Sequence, residues 1–313
     1  MRALVLRASN KGKPEVSIEN KDLGELPNGY ARVRIYAAAL NHRDEWIRQG
    51  QYPEVYEDFV LGSDGCGLVE EIKDEQYYNL LGKMVIIYPG LGWGTDERAP
   101  SLDLKVLGGP NDGTFAEYAF VPAENLVLKP EFLTPEQAAA IPVAGLVEIC
   151  AYISQLNTNV HDSHQELLIK TSYRALTSRG GLQADEAVLI TGGGGGCGSF
   201  SIQIAQKIGA KVYFTTGDKS KLEYLEEKLG AKGFLYTDPD WVEKFKGIDE
   251  LRKSESHDCR FDLIVDSTGG EQVPMSLDLL KPAGRFVFFG ETRGPPKGIP
   301  NWRDIFLKSL TLM

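Results

Sequence analysis

The sequence predicts an α/β protein in which a doubly wound parallel sheet follows an irregular β domain. Three observations predict this fold class. Residues 1–126 contain short strand patterns that turn residues interrupt, whereas strand and helix patterns alternate from Glu186 onward. A glycine-rich turn at residues 192–198 lies between an apolar strand pattern and an amphipathic helix pattern. We therefore predict one domain at 1–126 and a second at 127–313.

Composition and charge exclude several classes of protein. The 313 residues are enough for two domains with a substantial core, and the formal net charge is −10. An acidic chain is a poor partner for nucleic acid or for an anionic membrane surface, and no apolar run is long enough to span a bilayer. We therefore expect a small-molecule substrate, no nucleic acid and no membrane.

The cysteines and the N-terminus favour a cytoplasmic protein. The cysteines are scattered and form no C-x-x-C pair, which argues against a disulfide framework and against a cysteine-rich zinc site. They are Cys66, Cys150, Cys197 and Cys259. The first residues, Met1–Leu6, have the pattern of a strand rather than of a signal peptide. Unpaired thiols in a reducing compartment are therefore expected.

Short strands are predicted along the first domain, where apolar and β-branched residues cluster between turn residues. The predicted strands are Ala3–Leu6, Ala31–Ala38, Gly67–Ile72, Met84–Tyr88 and Phe115–Val121. One short helix is predicted at Arg43–Gln49. Because no regular helical crossover separates these strands, an irregular β domain is expected rather than βαβ units.

The second domain begins with a helix start. Thr134, Pro135 and Gln137 have the residue types preferred at the N-cap, the first and the third positions, so they predict a capping box. Alternating patterns then predict a parallel sheet with right-handed crossovers. The predicted strands are Glu186–Thr191, Lys211–Thr216, Gly233–Tyr236, Phe261–Asp266, Arg285–Phe289 and Ser309–Met313, and the predicted helices are Ser199–Gly209, Lys219–Leu229 and Gln272–Leu280.

The glycine run predicts a dinucleotide site. Gly193, Gly195 and Gly198 satisfy G-x-G-x-x-G between a strand and a helix, which is the context that this motif requires. The first glycine permits the tight turn, the second lets the backbone approach a pyrophosphate, and the third lets the helix pack closely. The phosphates then bind at the amides of the first helical turn, which includes Gly196 and Cys197. A plain flexible turn is the alternative.

Several ordered motifs resemble one family. Four motifs resemble, in sequence order, landmarks of the zinc-less quinone oxidoreductases: Ala38–Pro53, Leu61–Gly67, Asp112–Tyr118 and Ala139–Leu146. These enzymes belong to the alcohol dehydrogenase-like medium-chain dehydrogenase/reductase superfamily. Arg179–Gln183 and the glycine run complete the set, and the resemblance covers nearly the whole chain. It implies a GroES-like catalytic domain, a Rossmann domain and a cofactor in the cleft between them.

The resemblance also implies that this chain binds no metal. Zinc-containing relatives have a Cys at the position of Asn41 and a His at the position of Ser63. Neither replacement is a plausible ligand for tetrahedral zinc. Without a Lewis acid, reducing an electrophilic acceptor is easier than oxidising an alcohol, because it needs hydride delivery, positioning and a hydrogen bond to the developing oxyanion.

Four residues are catalytic candidates. Asn41 is expected to donate an amide hydrogen to the substrate oxygen, and Tyr52 is the second candidate, as a donor or a proton source. Asp44 is expected to orient its neighbours, and Asp64 to line the same site. The alternatives are that Asp44 caps a helix or forms an ion pair and that Tyr52 only packs. Trp46 stands where many quinone reductases have a Tyr.

The end of the second strand of the Rossmann domain predicts NADPH. NAD enzymes have an acidic residue there, but the family's helix pattern aligns Thr216 with that position. The neutral residue is followed by Lys219 and Lys221, which suit a 2′-phosphate. A register slip would instead make Asp218 an NAD-type acid, and a third interpretation makes it an N-cap of the next helix.

Three further positions are cofactor candidates by resemblance. Ser267 and Gly290 end the fourth and fifth strands, where the fold places residues over the ribose and nicotinamide. Thr171 begins a helix whose threonine would face the cofactor, but residues 147–170 intervene before it and are atypical of the family. Deleting them restores the family pattern. We therefore expect either a true insertion or an in-frame retained intron or gene-model error.

The C-terminus also departs from the family pattern. The chain stops at Leu310–Met313, inside a predicted strand, so the usual return to the catalytic domain is missing. A homodimer through that strand is possible in the family and is left open. The expected function is NADPH-dependent reduction of quinones or α,β-unsaturated carbonyls without zinc. The alternatives are a catalytically silent NADPH-binding protein and an enoyl-thioester reductase.

Overall fold

The computed structural model describes residues 1–7, 13–52, 58–92, 101, 103–145, 172–248, 251, 261–298 and 302–313. The chain divides into two compact units, Met1–Leu168 and Ile169–Met313. The predicted insertion at 147–170 and the cofactor candidate Thr171 lie outside the described residues. Among the described residues, no helix is both long enough and apolar enough to cross a membrane.

The first unit is built mainly from short strands. Its strands are β1 (Arg2–Arg7), β2 (Glu15–Asn20), β3 (Tyr30–Ala39), β4 (Phe59–Val60), β5 (Asp64–Ile72), β6 (Met84–Ile87), β7 (Gly90–Leu91), β8 (Lys105–Leu107), β9 (Pro110–Asn111), β10 (Tyr118–Pro122) and β11 (Leu126–Leu128). Its helices are α1 (His42–Arg48), α2 (Pro135–Ala139) and α3 (Pro142–Gly145), with 3-10 turns at Glu75–Leu80 and Ala123–Asn125.

Three small sheets form this unit. The largest has the order β10-β3-β5-β6-β11 and is antiparallel throughout. The other two have the orders β2-β1-β4 and β7-β8-β9. Buried aliphatic residues from the large sheet, such as Val33, Val69 and Val85, form its core cluster. Short strands shared among several small sheets confirm the predicted irregular β domain.

The predicted strands of this unit are confirmed, with two boundaries shifted by three residues: β5 begins at Asp64 rather than at Gly67, and the start of β10 also moves. β10 begins at Tyr118, three residues after the predicted start at Phe115. Phe115 donates its amide to the carbonyl of Leu61 and accepts from the amide of Leu4, so its backbone bonds a different part of the unit. β2 was missed because its sequence, EVSIEN, is polar and its residues are at most half-buried.

Two helix starts in this unit have the local structure that their sequences favour. The hydroxyl of Thr134 accepts the amide of Gln137 at 3.2 Å, and the side chain of Gln137 accepts the amide of Thr134 at 3.0 Å. These reciprocal bonds confirm the predicted capping box. At the start of α1, the backbone N–H of Asn41 donates to the carboxylate of Asp44 at 2.8 Å. This bond fixes Asn41 at the N-cap of α1.

The second unit alternates strands and helices. Its strands are β12 (Ala187–Ile190), β13 (Lys211–Thr216), β14 (Lys232–Leu235), β15 (Phe261–Asp266), β16 (Leu280–Phe288) and β17 (Thr311–Leu312). Its helices are α4 (Ser172–Arg174, continued by a π-helical turn at Ala175–Arg179), α5 (Gly196–Ile208), α6 (Lys219–Leu229), α7 (Trp241–Lys246), α8 (Gln272–Leu277) and α9 (Trp302–Leu307).

The six strands form one parallel sheet. Their order is β14-β13-β12-β15-β16-β17, and each neighbouring pair is parallel. In chain order this is 3-2-1-4-5-6, the arrangement of a doubly wound Rossmann sheet. The strand order reverses between β12 and β15, so the turn after β12 lies at the switch point, where such sheets bind ligands. The predicted fold class is confirmed.

In this unit, glycine positions and strand pairing determine where elements begin and end. The predicted bounds of β13, α6 and β15 are confirmed, and α6 is closed by Gly230 at φ 65°. The predicted helix Gln272–Leu280 was too long, because α8 ends at Leu277. Leu280 instead pairs with Phe261 and begins β16. An aromatic and aliphatic cluster that includes Trp241 and Phe245 packs beneath the sheet.

Candidate functional site

The turn after β12 brings the chain from the central strand into α5. Gly192 adopts φ +69°, a conformation that costs glycine little. Gly193, the predicted tight-turn residue, lies in the same turn, and a Cβ there would lie 2.7 Å from the ring of Phe214, so both positions favour glycine. The amide of Gly193 bonds the carbonyl of Thr215 on β13 at 2.8 Å. The turn is therefore anchored to the neighbouring strand.

The other two motif glycines differ in what surrounds them. A Cβ on Gly198 would lie 2.2 Å from the carbonyl oxygen of Gly192 and 2.7 Å from the Cα of Gly193. Helix α5 therefore approaches the turn too closely for a side chain at this position. A Cβ on Gly195, the N-cap of α5, would meet only the carbonyl oxygen of Gly192, at 3.3 Å. The backbone at Gly195 is thus open on its outer side.

The first turn of α5 has the properties of an anion site. It begins at Gly196, and Cys197 and Gly198 follow at the second and third helical positions. The leading amides of an α-helix have no carbonyl partner inside the helix, and the helix dipole places partial positive charge there. Gly195 offers no side chain that could cap these amides. A pyrophosphate fits this arrangement.

The end of β13 is neutral. Thr216 is its last residue and is only 3% exposed. The carboxylate of Asp218 accepts the amides of Ser220 and Lys221 at 2.8 and 3.3 Å, so Asp218 is the N-cap of α6. The hydroxyl of Ser220 also donates to Asp218, at 2.7 Å, and this bond, followed by those from the two amides, holds the pKa of Asp218 below its usual value. Of the roles predicted for Asp218, the structure gives it the role of N-cap.

The two candidate lysines have different surroundings. Lys219 is exposed and lies 3.8 Å from the carboxylate of Glu223, one helical turn along α6. Lys221 instead extends over the glycine turn, because a Cβ on Gly194 would lie 2.8 Å from its Cδ. Within the described part of the chain, Lys221 makes no ion pair. The two residues are therefore not equivalent candidates for binding an anion.

The ends of β15 and β16 meet the glycine turn. The hydroxyl of Ser267 donates to the carbonyl of Thr191 at 3.2 Å. A Cβ on Gly192 would lie 3.1 Å from the same hydroxyl, and one on Gly290 would lie 2.8 Å from the carbonyl oxygen of Ser267. The structure therefore brings Ser267 and Gly290, both predicted from the sequence, into contact around the switch point.

A buried polar network that sequence reasoning missed joins β12 to β15. The carboxylate of Asp266 accepts the hydroxyl of Thr191 at 2.7 Å and the amides of Thr268 and Gly269 at 3.0 and 2.7 Å. Asp266 has no solvent exposure, and burial raises its pKa. The network fixes the loop that carries Ser267. An acidic residue ending an apolar strand was the available sequence signal.

In the first unit, the side chains of Asn41, Ser63 and Asp64 are joined by hydrogen bonds. The amide nitrogen of Asn41 donates to Oδ2 of Asp64 at 2.9 Å and to Oγ of Ser63 at 3.2 Å. The amide of Val143 also donates to Asp64, at 3.1 and 3.2 Å to its two oxygens. Ser63 and Asp64 are fully buried, and Asn41 is half-buried. The contribution of Val143 is a backbone contact, which no side-chain pattern could indicate.

The electrostatics of this site favour a neutral carboxyl group. Burial is the main cause that raises the pKa of Asp64 to about 7, and the charge of Asp44 raises it further. The bonds from Asn41 and Val143 and the charge of Arg43 act in the opposite direction. Both protonation states are therefore populated near neutral pH, which suits a group that exchanges a proton with a ligand.

Asp44 and Tyr52 occupy the edges of the same region. Burial raises the pKa of Asp44, whose Oδ1 accepts no hydrogen bond from the described residues. Tyr52 packs against the cluster that contains Ile47, and the guanidinium of Arg43 lies 5.1 Å from the centre of its ring. Among the described residues its hydroxyl makes no hydrogen bond. Asp44 thus caps α1. The contacts of Tyr52 are packing contacts of its ring, and its hydroxyl is left available to a ligand.

Comparison with known proteins identifies the family. Residues 27–131 match the model for the alcohol dehydrogenase GroES-like domain, and residues 196–313 match the model for zinc-binding dehydrogenases. A zinc-type alcohol dehydrogenase-like protein, YogA, from Leptosphaeria maculans is 30% identical over 273 residues, which cover 84% of this chain and 69% of the relative. The chain belongs to the medium-chain dehydrogenase/reductase superfamily.

Within this superfamily the chain is quinone oxidoreductase-like. A quinone oxidoreductase of Pseudomonas aeruginosa is 26% identical over 92% of this chain and 73% of its own length. An acryloyl-coenzyme A reductase of Sulfurisphaera tokodaii is 27% identical over 90% of this chain and 75% of its own. This chain also superposes on the crystal structure of an NAD-dependent alcohol dehydrogenase with a TM-score of 0.82 at 30% identity. The superposition covers all of this chain and 84% of the dehydrogenase.

Membership assigns a coarse activity. Proteins of this superfamily are oxidoreductases that bind a nicotinamide cofactor and act on small molecules. The residues of the second unit fit such a cofactor, because the open backbone at Gly195, the first turn of α5 and the cation of Lys221 lie at the switch point of the sheet. The cofactor prediction is therefore supported at this coarser level.

Zinc does not fit the corresponding residues of the first unit. Asn41 presents its Nδ2 to Asp64 and Ser63 and donates to both, and an amide nitrogen is a hydrogen-bond donor rather than a metal ligand. A serine hydroxyl is not among the usual zinc ligands, which leaves Asp64 as one carboxylate where three protein ligands are needed. No group of three or more His, Cys, Asp or Glu side chains suited to a metal occurs within the described ranges.

Proposed function

We propose that this protein reduces quinones or α,β-unsaturated carbonyl compounds with NADPH and without zinc. The observation that carries the proposal is the hydrogen-bonded set of Asn41, Ser63 and Asp64, which stands where zinc-containing relatives have a Cys and a His. A site of amide, hydroxyl and buried carboxyl can donate hydrogen bonds and a proton, but it cannot act as a Lewis acid. The similarity to a quinone oxidoreductase supports the same chemistry.

The proposed roles follow from the chemistry of each group. A bound nicotinamide cofactor supplies a hydride to an electrophilic carbon or to a quinone. Asn41 breaks its 3.2 Å bond to Ser63 and donates that amide hydrogen to the substrate oxygen instead. Its 2.9 Å bond to Asp64 is kept and holds the amide in place. Asp64 is therefore foremost a positioning residue, and Tyr52 is the second proton-source candidate.

In the second unit, the proposed cofactor contacts are grouped at the carboxyl edge of the sheet. The pyrophosphate is assigned to the backbone at Gly193, Gly195, Gly196, Cys197 and Gly198, and the ribose and nicotinamide to Ser267 and Gly290. Thr216 and Lys221 are assigned to the 2′-phosphate, with Lys219 as a weaker candidate because Glu223 lies beside it. A neutral residue at the end of β13 supports NADPH over NADH.

The test is steady-state oxidation of the cofactor. NADPH and NADH are each supplied with a quinone, an enone and an enoyl thioester, and the loss of absorbance of the reduced cofactor is followed. Turnover of the quinone or enone with a preference for NADPH supports the proposal. Binding of the cofactor without turnover of any acceptor would contradict it and favour the silent NADPH-binding protein.

A matched pair of variants tests the role of Asn41. Asn41→Ala removes the donor to the substrate oxygen, so kcat is expected to fall roughly 10- to 100-fold while the KM for NADPH is unchanged. Ser63→Ala removes the neighbouring hydroxyl but leaves the bond between Asn41 and Asp64, so kcat is expected to change less than about 3-fold. Equal losses in both variants would show that Asn41 has only a structural role.

The second candidate is an enoyl-thioester reductase. The acryloyl-coenzyme A reductase relative aligns with 90% of this chain, and its substrate is an α,β-unsaturated thioester by name. Hydride addition to the β-carbon and protonation at the α-carbon would give the saturated thioester, which is the same chemistry on a larger substrate. A kcat/KM for the thioester at least tenfold above that for a simple enone would favour this candidate.

A further inference from the structure

A segment after β16 crosses the carboxyl end of β15 in the second unit. We define it as the 291–297 segment, which four backbone hydrogen bonds fasten to the loop after β15, the longest from Thr292 to Ser267 at 3.5 Å. Arg293 donates to Thr268 at 2.8 Å, Gly270 donates to Gly294 at 3.0 Å, and Lys297 donates to Gly270 at 2.8 Å. The backbone of Arg293 is therefore fixed, although its side chain is exposed.

The side chain of Arg293 extends toward the ends of β14 and β13. Its guanidinium lies 4.8 Å from the centre of the Tyr236 ring, and its Nη1 donates to the Tyr236 hydroxyl at 2.8 Å. The amide of Tyr236 donates to the carbonyl of Thr216 at 3.1 Å. A Cβ on Gly217 would lie 2.3 Å from the Tyr236 hydroxyl, so only glycine accommodates this contact. Arg293 is thus linked through Tyr236 to the neutral end of β13.

The charge of Arg293 is not neutralised by a carboxylate. Among the described residues it forms no ion pair, and the same is true of Lys221, which lies over Gly194 beside Thr216. Their basic neighbours are paired, Lys219 with Glu223 and Lys297 with Glu271. In a chain of net charge −10, two cations without an ion-pair partner concentrate positive charge near this strand end, and the carboxylate of Asp218 offsets part of the charge of Lys221.

A pocket of about 250 Å³ adjoins Arg293, and its lining includes Tyr236, Trp241 and Met275. Two carboxylates also line it, and each is paired with a lysine, Asp238 with Lys244 and Glu271 with Lys297. The ring of Tyr236 and the guanidinium of Arg293, 4.8 Å apart, are both groups against which an aromatic base can pack. The structure therefore combines an aromatic ring, a cavity and a guanidinium without an ion-pair partner among the described residues.

We propose that Arg293 binds the 2′-phosphate of an adenosine 2′-phosphate ligand, together with Lys221. The inference rests on the proposed function, because this group is the adenosine end of NADPH. Nη1 of Arg293 donates to the Tyr236 hydroxyl, and this bond orients the guanidinium. The remaining N–H groups of the guanidinium can donate to phosphate oxygens. Arg293 comes from a loop far along the chain from β13, so inspection of the strand end in the sequence could not identify it.

The test compares two nucleotides that differ only in the 2′-phosphate. The full-length chain is titrated calorimetrically with adenosine 2′,5′-bisphosphate and with adenosine 5′-monophosphate. The wild type is expected to bind the bisphosphate at least tenfold more tightly. Arg293→Gln is expected to weaken bisphosphate binding roughly tenfold and monophosphate binding less than twofold, because a charge-assisted hydrogen bond to phosphate is lost.

Lys297→Gln is the matched control. It removes one positive charge from the same segment, but that charge is already paired with Glu271, so wild-type discrimination between the two nucleotides is expected. If Arg293→Gln still prefers the bisphosphate over the monophosphate as strongly as the wild type does, the inference is overturned and the proposed function is left intact. A wild type that binds NADPH and NADH equally would also overturn it. A wild type that binds neither cofactor would overturn the proposed function itself.

Discussion

At the scale of single residues, burial decides the chemistry of the first unit. Asp64 is fully buried between Asn41 and the amide of Val143, and its pKa rises to about 7. An exposed aspartate at the same position in the sequence would be ionised throughout the physiological range. The sequence identified Asn41 and Asp64 as neighbours in a site, but it could not show that the amide is already engaged.

The raised pKa of Asp64 predicts a pH dependence of stability. Between about pH 4 and pH 7 the folded chain binds more protons at Asp64 than the unfolded chain does, so stability falls as the pH rises through this window. Asp64→Asn removes the ionisation, so the wild-type Tm minus the variant Tm is expected to decrease from pH 4.5 to pH 8. The full effect corresponds to roughly 2–4 kcal/mol.

Thermal unfolding of both proteins across that range is the measurement. Asp22→Asn changes an exposed aspartate and serves as the control, since it should follow the wild-type profile. A difference between wild type and Asp64→Asn that stays constant from pH 4.5 to pH 8 would rule out a titrating Asp64.

Asp218 allows a second test at this scale. Its carboxylate caps α6, and Asn is about as good an N-cap as Asp, so Asp218→Asn should keep the helix and the ratio of NADPH to NADH affinity within about twofold. Fluorescence titration with both cofactors measures this ratio. Should the variant instead lose NADH affinity tenfold while NADPH binding strengthens, Asp218 would be the ribose ligand of an NAD enzyme.

At the scale of elements, the strand–turn–helix unit at β12 and α5 separates two uses of glycine. Gly198 is required by packing, because α5 passes the carbonyl of Gly192 with no room for a side chain. A Cβ on Gly195 would meet only the carbonyl oxygen of Gly192, at 3.3 Å, so a methyl group fits there after a shift of a few tenths of an ångström. Only the approach of a ligand would make Gly195 necessary.

This difference predicts opposite outcomes for two alanine variants. Gly198→Ala is expected to destabilise the second unit by about 1–3 kcal/mol, since the backbone must shift to admit the methyl group. Gly195→Ala is expected to keep the wild-type Tm within about 1 °C but to weaken NADPH binding at least tenfold, because the methyl group occupies the position of a pyrophosphate oxygen. Calorimetry and cofactor titration give both numbers. Unimpaired NADPH binding by Gly195→Ala would remove this turn from the cofactor site.

At the scale of the whole molecule, the two units carry different parts of the proposed reaction. The second unit has the Rossmann sheet and the anion-binding turn, and the first unit has the site that does not fit zinc. Because neither set of residues needs a metal, the complete chain is expected to retain full NADPH oxidation with a quinone after dialysis against a chelator.

Metal analysis and assay before and after chelation test this expectation. Zinc is expected at well below one equivalent per chain, and added Zn²⁺ should not raise the rate. A rate that falls on chelation and returns with Zn²⁺ would contradict the assignment of Asn41, Ser63 and Asp64 to a metal-free site.

Much of the second unit could be predicted because its structure is local. β13, α6 and β15 have the bounds that apolar periodicity and glycine positions indicated. The first unit was harder, since its short strands pair across long stretches of chain, as Phe115 shows by bonding Leu4 and Leu61. β2, polar and at most half-buried, carries no apolar pattern and was missed for that reason.

The sequence by itself determined the fold class and the glycine turn, because these depend on patterns within a few neighbouring residues, and its resemblance to the zinc-less quinone oxidoreductases indicated the residues near Asn41. Tertiary structure alone decided which cations and carboxyls meet. It separates Lys221 from Lys219, brings Arg293 to Tyr236 and buries Asp64 against the amide of Val143. Electrostatic interactions depend on distance and burial, and neither quantity exists before residues remote in the chain have packed together.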